Sequence, residues 1–401
     1  MTTSSKPSRR AVLQGAGAAA LVAAAPGGLR AAGESLKLGV LTPLTGAGST
    51  DGPRMLAAMQ AVAKEVNEAG GVLGRTIDFV IEDDQTNPDA AVRAARKLID
   101  IDQVPVIMGT WASAVTTAVA PLCWESKVFL TTCSGADPIT KLPHQGYLVR
   151  TQPNNYLQAT HHADFIAELG MKRVFALSIQ SPFTVPTHER LQVVLAEKGS
   201  QLVGTLTYDK DKTSYRSEVD QALKAKPDII YLNGYAPDET IVLKDLYKAG
   251  YEGAKFSQSY SITQPVLDAL PQEVTEGIYT VQPSADVDSK AFELASKRLG
   301  GTPDTYYCQA TDWISLVCLS LAKAGAANGT AIRDNIRKIS QGSGTKVYSA
   351  VEGLALLAKG QEINYEGASG PCDFTDIGDI IDCKFRFQQV EKGKFKFLKV
   401  A

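Results

Sequence analysis

VPVIMGTWASAVTTAVAPL, residues 104–122, reads as a buried apolar strand that breaks at Gly109 into small hydroxyl residues ahead of a helix. Apolar strands alternating with amphipathic helices are what a parallel sheet covered on both faces requires. The alternation runs outward in both directions. Upstream, LKLGVLT (36–42) leads to a helix over about 53–69, and TIDFVIEDD (76–84) to a helix capped by Asn87 with Pro88 in its first turn. Downstream, VFLTT (128–132) extends the pattern, and a second series begins near Gln152. Its strands are RVFALSI (173–179), QLVGTLTY (201–208), DIIYLNG (228–234) and AKFSQS (254–259), with helices near 155–169, 186–198, 214–225 and 238–249. EGIYTVQP (276–283) then leads to helices over about 288–299, 304–325 and 330–339, and the chain ends in KFRFQQV and KFKFLKV. The expected fold is α/β, with two doubly wound parallel-sheet lobes. Such sheets bind ligands at the carboxyl ends of their strands where strand order switches, so two facing lobes enclose a cleft. The hydroxyl cluster after Gly109 lies at such an end.

Composition narrows the function. The 401 residues exceed the roughly 250–300 at which one core stops growing, which allows two domains. With 44% hydrophobic and 21% charged residues the chain is ordinary globular protein, and a net charge of −2 offers no basic field for nucleic acid. Ser8-Arg9-Arg10-Ala11-Val12-Leu13 resembles a twin-arginine export motif, followed by a short apolar run and Ala31-Ala32-Gly33. Residues 1–33 are therefore expected to be a signal peptide, and the mature protein periplasmic. Gly15-Ala16-Gly17-Ala18-Ala19-Ala20 mimics a dinucleotide loop, but no strand precedes it, so no cofactor is expected. Cys372 and Cys383 flank a turn-like DFTDIGDIID segment and are expected to staple a hairpin, whereas Cys308 and Cys318 share one helix about 15 Å apart. Without C-x-x-C or paired histidines, no metal site is expected.

LKLGVLTPLTGAGSTDGPRMLAAMQAVAKEVNEAGGVLGRTIDFVIEDDQTNPDAAVRAARKLI resembles the opening lobe of the leucine/isoleucine/valine-binding protein family. These are type I periplasmic solute-binding proteins that serve ABC importers. The likeness extends through VIMGTWAS, VFLTTCSGADP, RTQPNN, IIYLNGYAPDE, YYCQATDW and CDFTDIGD. It implies two lobes joined by three crossovers near 150–154, 278–283 and 360–372. Lobe 1 would take 36–151 plus 280–365, and lobe 2 would take 152–279 plus 366–401. It also implies a protein that closes on a small-molecule ligand, docks on an ABC permease and ATPase complex, and does no chemistry.

Carried over residue by residue, the resemblance puts the ligand carboxylate between Gly109–Ser113 and Thr132–Gly135. Thr110 and Ser113 supply hydroxyls, the helix starting near Ser113 supplies free N–H groups, and Cys133, Ser134 and Gly135 face them. The alternative for Ser113 is a plain helix cap. Trp111 would wall the pocket, and Tyr235 matches a ligand-contacting position or a rim residue. Four positions depart from the amino-acid binders. Gly135 stands where they carry Thr, Ser259 or its neighbours Gln258 and Tyr260 where they place an acidic partner for the ligand ammonium, and Phe183 near a usual Tyr-Gly. Asp51, the fourth, is either a substitute ammonium partner or a turn residue in Thr50-Asp51-Gly52-Pro53.

An enzyme is the competing class. No Gly-x-Ser-x-Gly, His-Glu-x-x-His or phosphate-binding loop occurs in the mature chain, and His144, His161, His162 and His188 occupy no recognisable base position. A sensor docking on a receptor is the other alternative. The expected ligand is a small carboxylate: a hydrophobic amino acid, or an aromatic or aliphatic acid lacking the amino group, with amides and urea behind them.

Overall fold

The computed structural model describes Met1 and residues 34–285 and 287–401; the expected leader, 1–33, apart from Met1, and the loop mimic within it lie outside the described residues. The first sheet holds β1 (Leu36–Thr42), β2 (Ile77–Asp83), β3 (Val106–Gly109), β4 (Phe129–Thr132) and β5 (Leu148–Arg150). Between them run α1 (Gly52–Glu68), α2 (Pro88–Arg96), α3 (Ser113–Glu125) and α4 (Pro138–Lys141). All neighbours are parallel in the order β2-β1-β3-β4-β5, so the strand order switches at β1/β3. β3 and β4 are wholly buried, as apolar runs covered on both faces must be. Asn87 caps α2 by accepting from the amides of Asp89 and Ala90 at 2.9 and 3.1 Å.

The second lobe alternates α5 (Asn155–Glu168), β6 (Arg173–Ile179), α6 (Thr184–Glu197), β7 (Gln201–Tyr208), α7 (Arg216–Lys224), β8 (Ile229–Asn233), α8 (Ala236–Lys248) and β9 (Ala254–Gln258). Two short helices, α9 (Gln264–Ala269) and α10 (Gln272–Thr275), lead to β10 (Tyr279–Ser284). The chain then returns to the first lobe for α11 (Lys290–Leu299), α12 (Thr305–Ala324), α13 (Gly329–Ser340), β11 (Thr345–Val347), α14 (Ala350–Leu357) and β12 (Ile363–Tyr365). β13 (Lys384–Glu391) and β14 (Lys394–Val400) finish the seven-stranded sheet β14-β13-β10-β9-β8-β6-β7, with β13 antiparallel to both β10 and β14. Its order switches at β6/β8. α12 is buried from Thr305 to Leu321 and packs against α1, α13 and α14, the buried polar side chains of Asp312 and Gln309 finding partners. No helix among the described residues is long and apolar enough to cross a membrane.

Two crossovers lie later than expected. β10 pairs with β13 through Ser284↔Lys384, so the chain leaves the second sheet after 284 instead of at 278–283. The segment after β12 stays with the first lobe because Asp312, on α12, accepts from the Ala368 and Ser369 amides, each at 2.8 Å. The Arg150 amide likewise donates to the Gly378 carbonyl at 2.9 Å. The return to the second sheet comes at Lys384, beyond the expected 360–372.

The expected Cys372–Cys383 disulfide is absent, and both thiols are free. The hairpin itself forms, with Phe374 against Ile380 and the Ile381 amide donating to the Asp373 carbonyl at 3.0 Å. Extending that register brings Asp382 opposite Cys372. Cys383 is one residue out of step, and alternate residues face opposite ways.

Candidate ligand-binding cleft

Gly109 ends β3 at φ 121°, where an added Cβ would lie 2.2 Å from the Leu41 carbonyl oxygen. Only glycine fits that approach. Thr110 follows at φ 64°, its amide donating to the same carbonyl at 2.8 Å. The reversal puts Trp111 and Ser113 on the cleft wall. α3 begins at Ser113, and its N-cap is Ala112, which has no side-chain cap bond. Ser113 is therefore not the helix cap. Its Oγ accepts from the Ala136 amide at 3.3 Å and stands beside the free first-turn N–H groups of α3.

Thr110 and Ser134, expected to touch the ligand, lie behind that wall. Thr116 Oγ1 donates to Thr110 Oγ1 at 2.9 Å and meets Ser134 Oγ at 2.5 Å, while Ser134 Oγ donates to the Trp111 carbonyl at 2.9 Å. Thr132 Oγ1 donates to the Thr110 carbonyl at 2.7 Å, closing a buried knot that ties the two loops together. The density of hydroxyls is real, but most of it satisfies itself.

Cys133 and Gly135 do line the cleft. A Cβ on Gly135 would lie 2.7 Å from Gln158 Nε2 and 2.8 Å from Asn155 Oδ1, so the missing side chain makes room for two amides from α5. Asn155 Nδ2 donates to the Phe183 carbonyl at 2.6 Å, and Gln158 Nε2 to the Pro153 carbonyl at 2.7 Å. Phe183 and Tyr235 complete the far wall from the carboxyl ends of β6 and β8, the second lobe's switch point. Trp111 centres an aromatic cluster, with ring centroids 5.0 Å from Tyr235, 5.6 Å from Tyr260 and 6.3 Å from Tyr306. Together the walls close tightly on one another, with room of about 40 Å³ left between them.

No Asp, Glu, Lys or Arg lines this cleft among the described residues. Ser259 and Asp51 line a neighbouring cavity on the other side of Tyr260 and Tyr306. The Ser259 amide extends the β9–β10 ladder by donating to the Val281 carbonyl at 2.9 Å, which gives the cleft-facing position to Gln258. Asp51 closes the turn before α1, its amide donating to the Gly48 carbonyl at 2.9 Å. Burial and the charge of Asp304 push its carboxyl up to about 7, while Arg54 pairs with Asp304 at 3.1 Å. Glu239, beneath the Tyr235 loop, is engaged by the Gly234 amide at 2.7 Å and by Ser257.

Of the polar part of the second lobe's wall, Gln258 was within reach of the sequence as a neighbour of Ser259, but Gln152, His162, Tyr231 and Asn233 were missed, besides the two α5 amides. The only signal was their adjacency to quoted motifs, as in RTQPNN and IIYLNG. Of the histidines, His188 Nε2 pairs with Ser178 Oγ at 2.8 Å and His162 Nδ1 with the Tyr231 hydroxyl at 3.0 Å. Ser113→Ala is expected to weaken carboxylate binding about 10- to 100-fold, the worth of one hydrogen bond to a charged group. Urea unfolding should move by less than about 0.5 kcal/mol, as no cap is lost. Calorimetry and denaturation on one preparation would separate the two effects.

Two α/β lobes joined by three crossovers, with a closed cleft between their switch points, define the periplasmic binding protein type I fold. The family profile described as "Periplasmic binding protein" matches residues 35–394, and the chain belongs to that family. It is 24% identical over 316 residues to the leucine-, isoleucine-, valine-, threonine- and alanine-binding protein of Pseudomonas aeruginosa, covering 76% of this chain and 83% of that one. The leucine-binding protein LivK of Thermotoga maritima superposes with a TM-score of 0.77 at 23% identity, covering 91% of this chain and 98% of that one. A solute-binding protein of an ABC transporter from R. palustris, in complex with 4-hydroxybenzoate, gives 0.75 at 19% identity, covering 92% and 97%.

Proposed function

We propose that the protein captures a small aromatic or branched aliphatic carboxylate lacking an α-ammonium group and delivers it to an ABC importer. The observation that carries this is a cleft lined by Ser113 at the start of α3, with no carboxylate on its walls among the described residues. An ammonium buried there would stand unpaired, whereas the rings of Trp111, Tyr235 and Tyr260 offer apolar and aromatic surface to a ligand once the lobes part. Solved proteins of this fold hold leucine-type and benzoate-type ligands alike, so the choice falls to this cleft's own residues. Export by the twin-arginine route, a periplasmic location and docking on a permease and ATPase complex belong to the same proposal.

A thermal-shift panel tests it: leucine, valine, phenylalanine, benzoate, 4-hydroxybenzoate, short amides and urea. A bound acid at a hundredfold excess over its dissociation constant should stabilise the protein by about 2.7 kcal/mol. A second reading, a neutral amide solute, is favoured by the amides of Gln152, Asn155, Gln158 and Gln258 in the cleft. Shifts with amides and none with acids would establish it in place of the first.

A further inference from the structure

The second lobe's wall of the cleft carries a relay that ends on a free donor. Gln258 Nε2 donates to the Tyr231 hydroxyl at 3.2 Å, and that hydroxyl lies 3.0 Å from His162 Nδ1. All three side chains are buried, His162 at 1% exposure. Burial pushes the His162 imidazolium down to about 3 and the Tyr231 phenol upward, so the ring is neutral and the phenol keeps its proton. A phenol that accepts from Gln258 has one proton to give, and Nδ1 is the acceptor within reach. The ring's own proton is then on Nε2, because a neutral imidazole has one donor and one acceptor. His162 Nε2 is buried without a hydrogen-bond partner among the described residues, and the ring lines the cleft. Phe256 and Phe385 pack about the same ring, at centroid distances of 5.5 and 6.0 Å, and offer no acceptor. Buried donors are almost always paired, and one left open on a cleft wall is what a ligand completes.

We propose that His162 Nε2–H receives a second, uncharged acceptor oxygen of the ligand, so that the preferred solute is an acid carrying a hydroxyl or carbonyl besides its carboxylate. This rests on the acid reading above, in which Ser113 and α3 hold the carboxylate. His162 would then discriminate among acids of similar size, a role fixed by the tautomer that Tyr231 and Gln258 impose.

Calorimetric titration of the protein with benzoate, 3-hydroxybenzoate, 4-hydroxybenzoate and 4-formylbenzoate tests it. Benzoate should bind, and at least one oxygen-bearing acid should bind about tenfold tighter or more, as one well-made hydrogen bond allows. In His162→Phe that ratio should collapse to within about twofold. Nitrogen NMR of the unaltered protein gives a check independent of any variant. The free protein should show His162 protonated on Nε2, and that resonance should move with the oxygen-bearing acid more than with benzoate. A ring protonated on Nδ1, or a ratio unchanged in His162→Phe, overturns the proposal. Equal binding of all four acids sinks it while leaving the acid reading intact, and no binding of any acid sinks both.

Discussion

Arg150→Ala is expected to destabilise the fold by about 3–5 kcal/mol, the range for stripping one partner from a buried ion pair. Arg150 is fully buried at the end of β5, and its Nε meets Asp379 Oδ1 at 2.5 Å. Nη1 donates to the carbonyls of Ser134 and Ala136 at 3.3 and 2.8 Å, and Nη2 to Thr140 Oγ1 at 3.2 Å. Asn154 Nδ2 holds the other Asp379 oxygen at 3.2 Å, so one guanidinium ties the ligand loop, the first crossover and the 372–383 hairpin together. Alanine would leave Asp379, 7% exposed, charged and short of its partner, and would free the loop that carries Gly135. Arg150→Lys keeps the charge but loses the planar fork, and should recover only part of the loss. Urea unfolding measures both. A loss under about 1 kcal/mol for alanine, the worth of an exposed pair, would mean the network does not hold the loop.

Much of this was legible in the sequence where burial was continuous. The runs at 36–42 and 173–179 coincide with β1 and β6, because stretches of this kind have one way to be covered on both faces, and the run at 201–208 coincides with β7, a half-exposed edge strand. The Asn87-Pro88 start of α2 was legible for a local reason, since the cap needs only its own first turn. β5, β11 and β12, three residues each, leave no period to detect. At the site, hydroxyl density after Gly109 was visible but its direction was not. Thr110 and Ser134 turn inward to Thr116, a partner set by tertiary packing. Ser259 and Gln258 differ by one strand position, and in a period of two that decides which side chain meets the ligand. Tyr231 and His162 were not singled out as site residues in the sequence, and both are buried. They matter because the core's polar edge is also the cleft's wall.

The central claim concerns charge. A desolvated ammonium with no carboxylate beside it costs several kcal/mol. Cation–π contact with Trp111 or the tyrosines would return about 2 kcal/mol, part of that cost. Asp51 lines a separate cavity, and Glu239 is taken up in a closed hydrogen-bond set. Since each 1.4 kcal/mol is about tenfold, removing the amino group from an otherwise identical ligand should tighten binding about 100-fold or more. The matched pair is phenylalanine and 3-phenylpropanoate, which share the ring, chain and carboxylate. Calorimetric titration of both into the same preparation tests the claim directly: 3-phenylpropanoate binding about 100-fold tighter is the expected result, and phenylalanine binding equally or more tightly would contradict it.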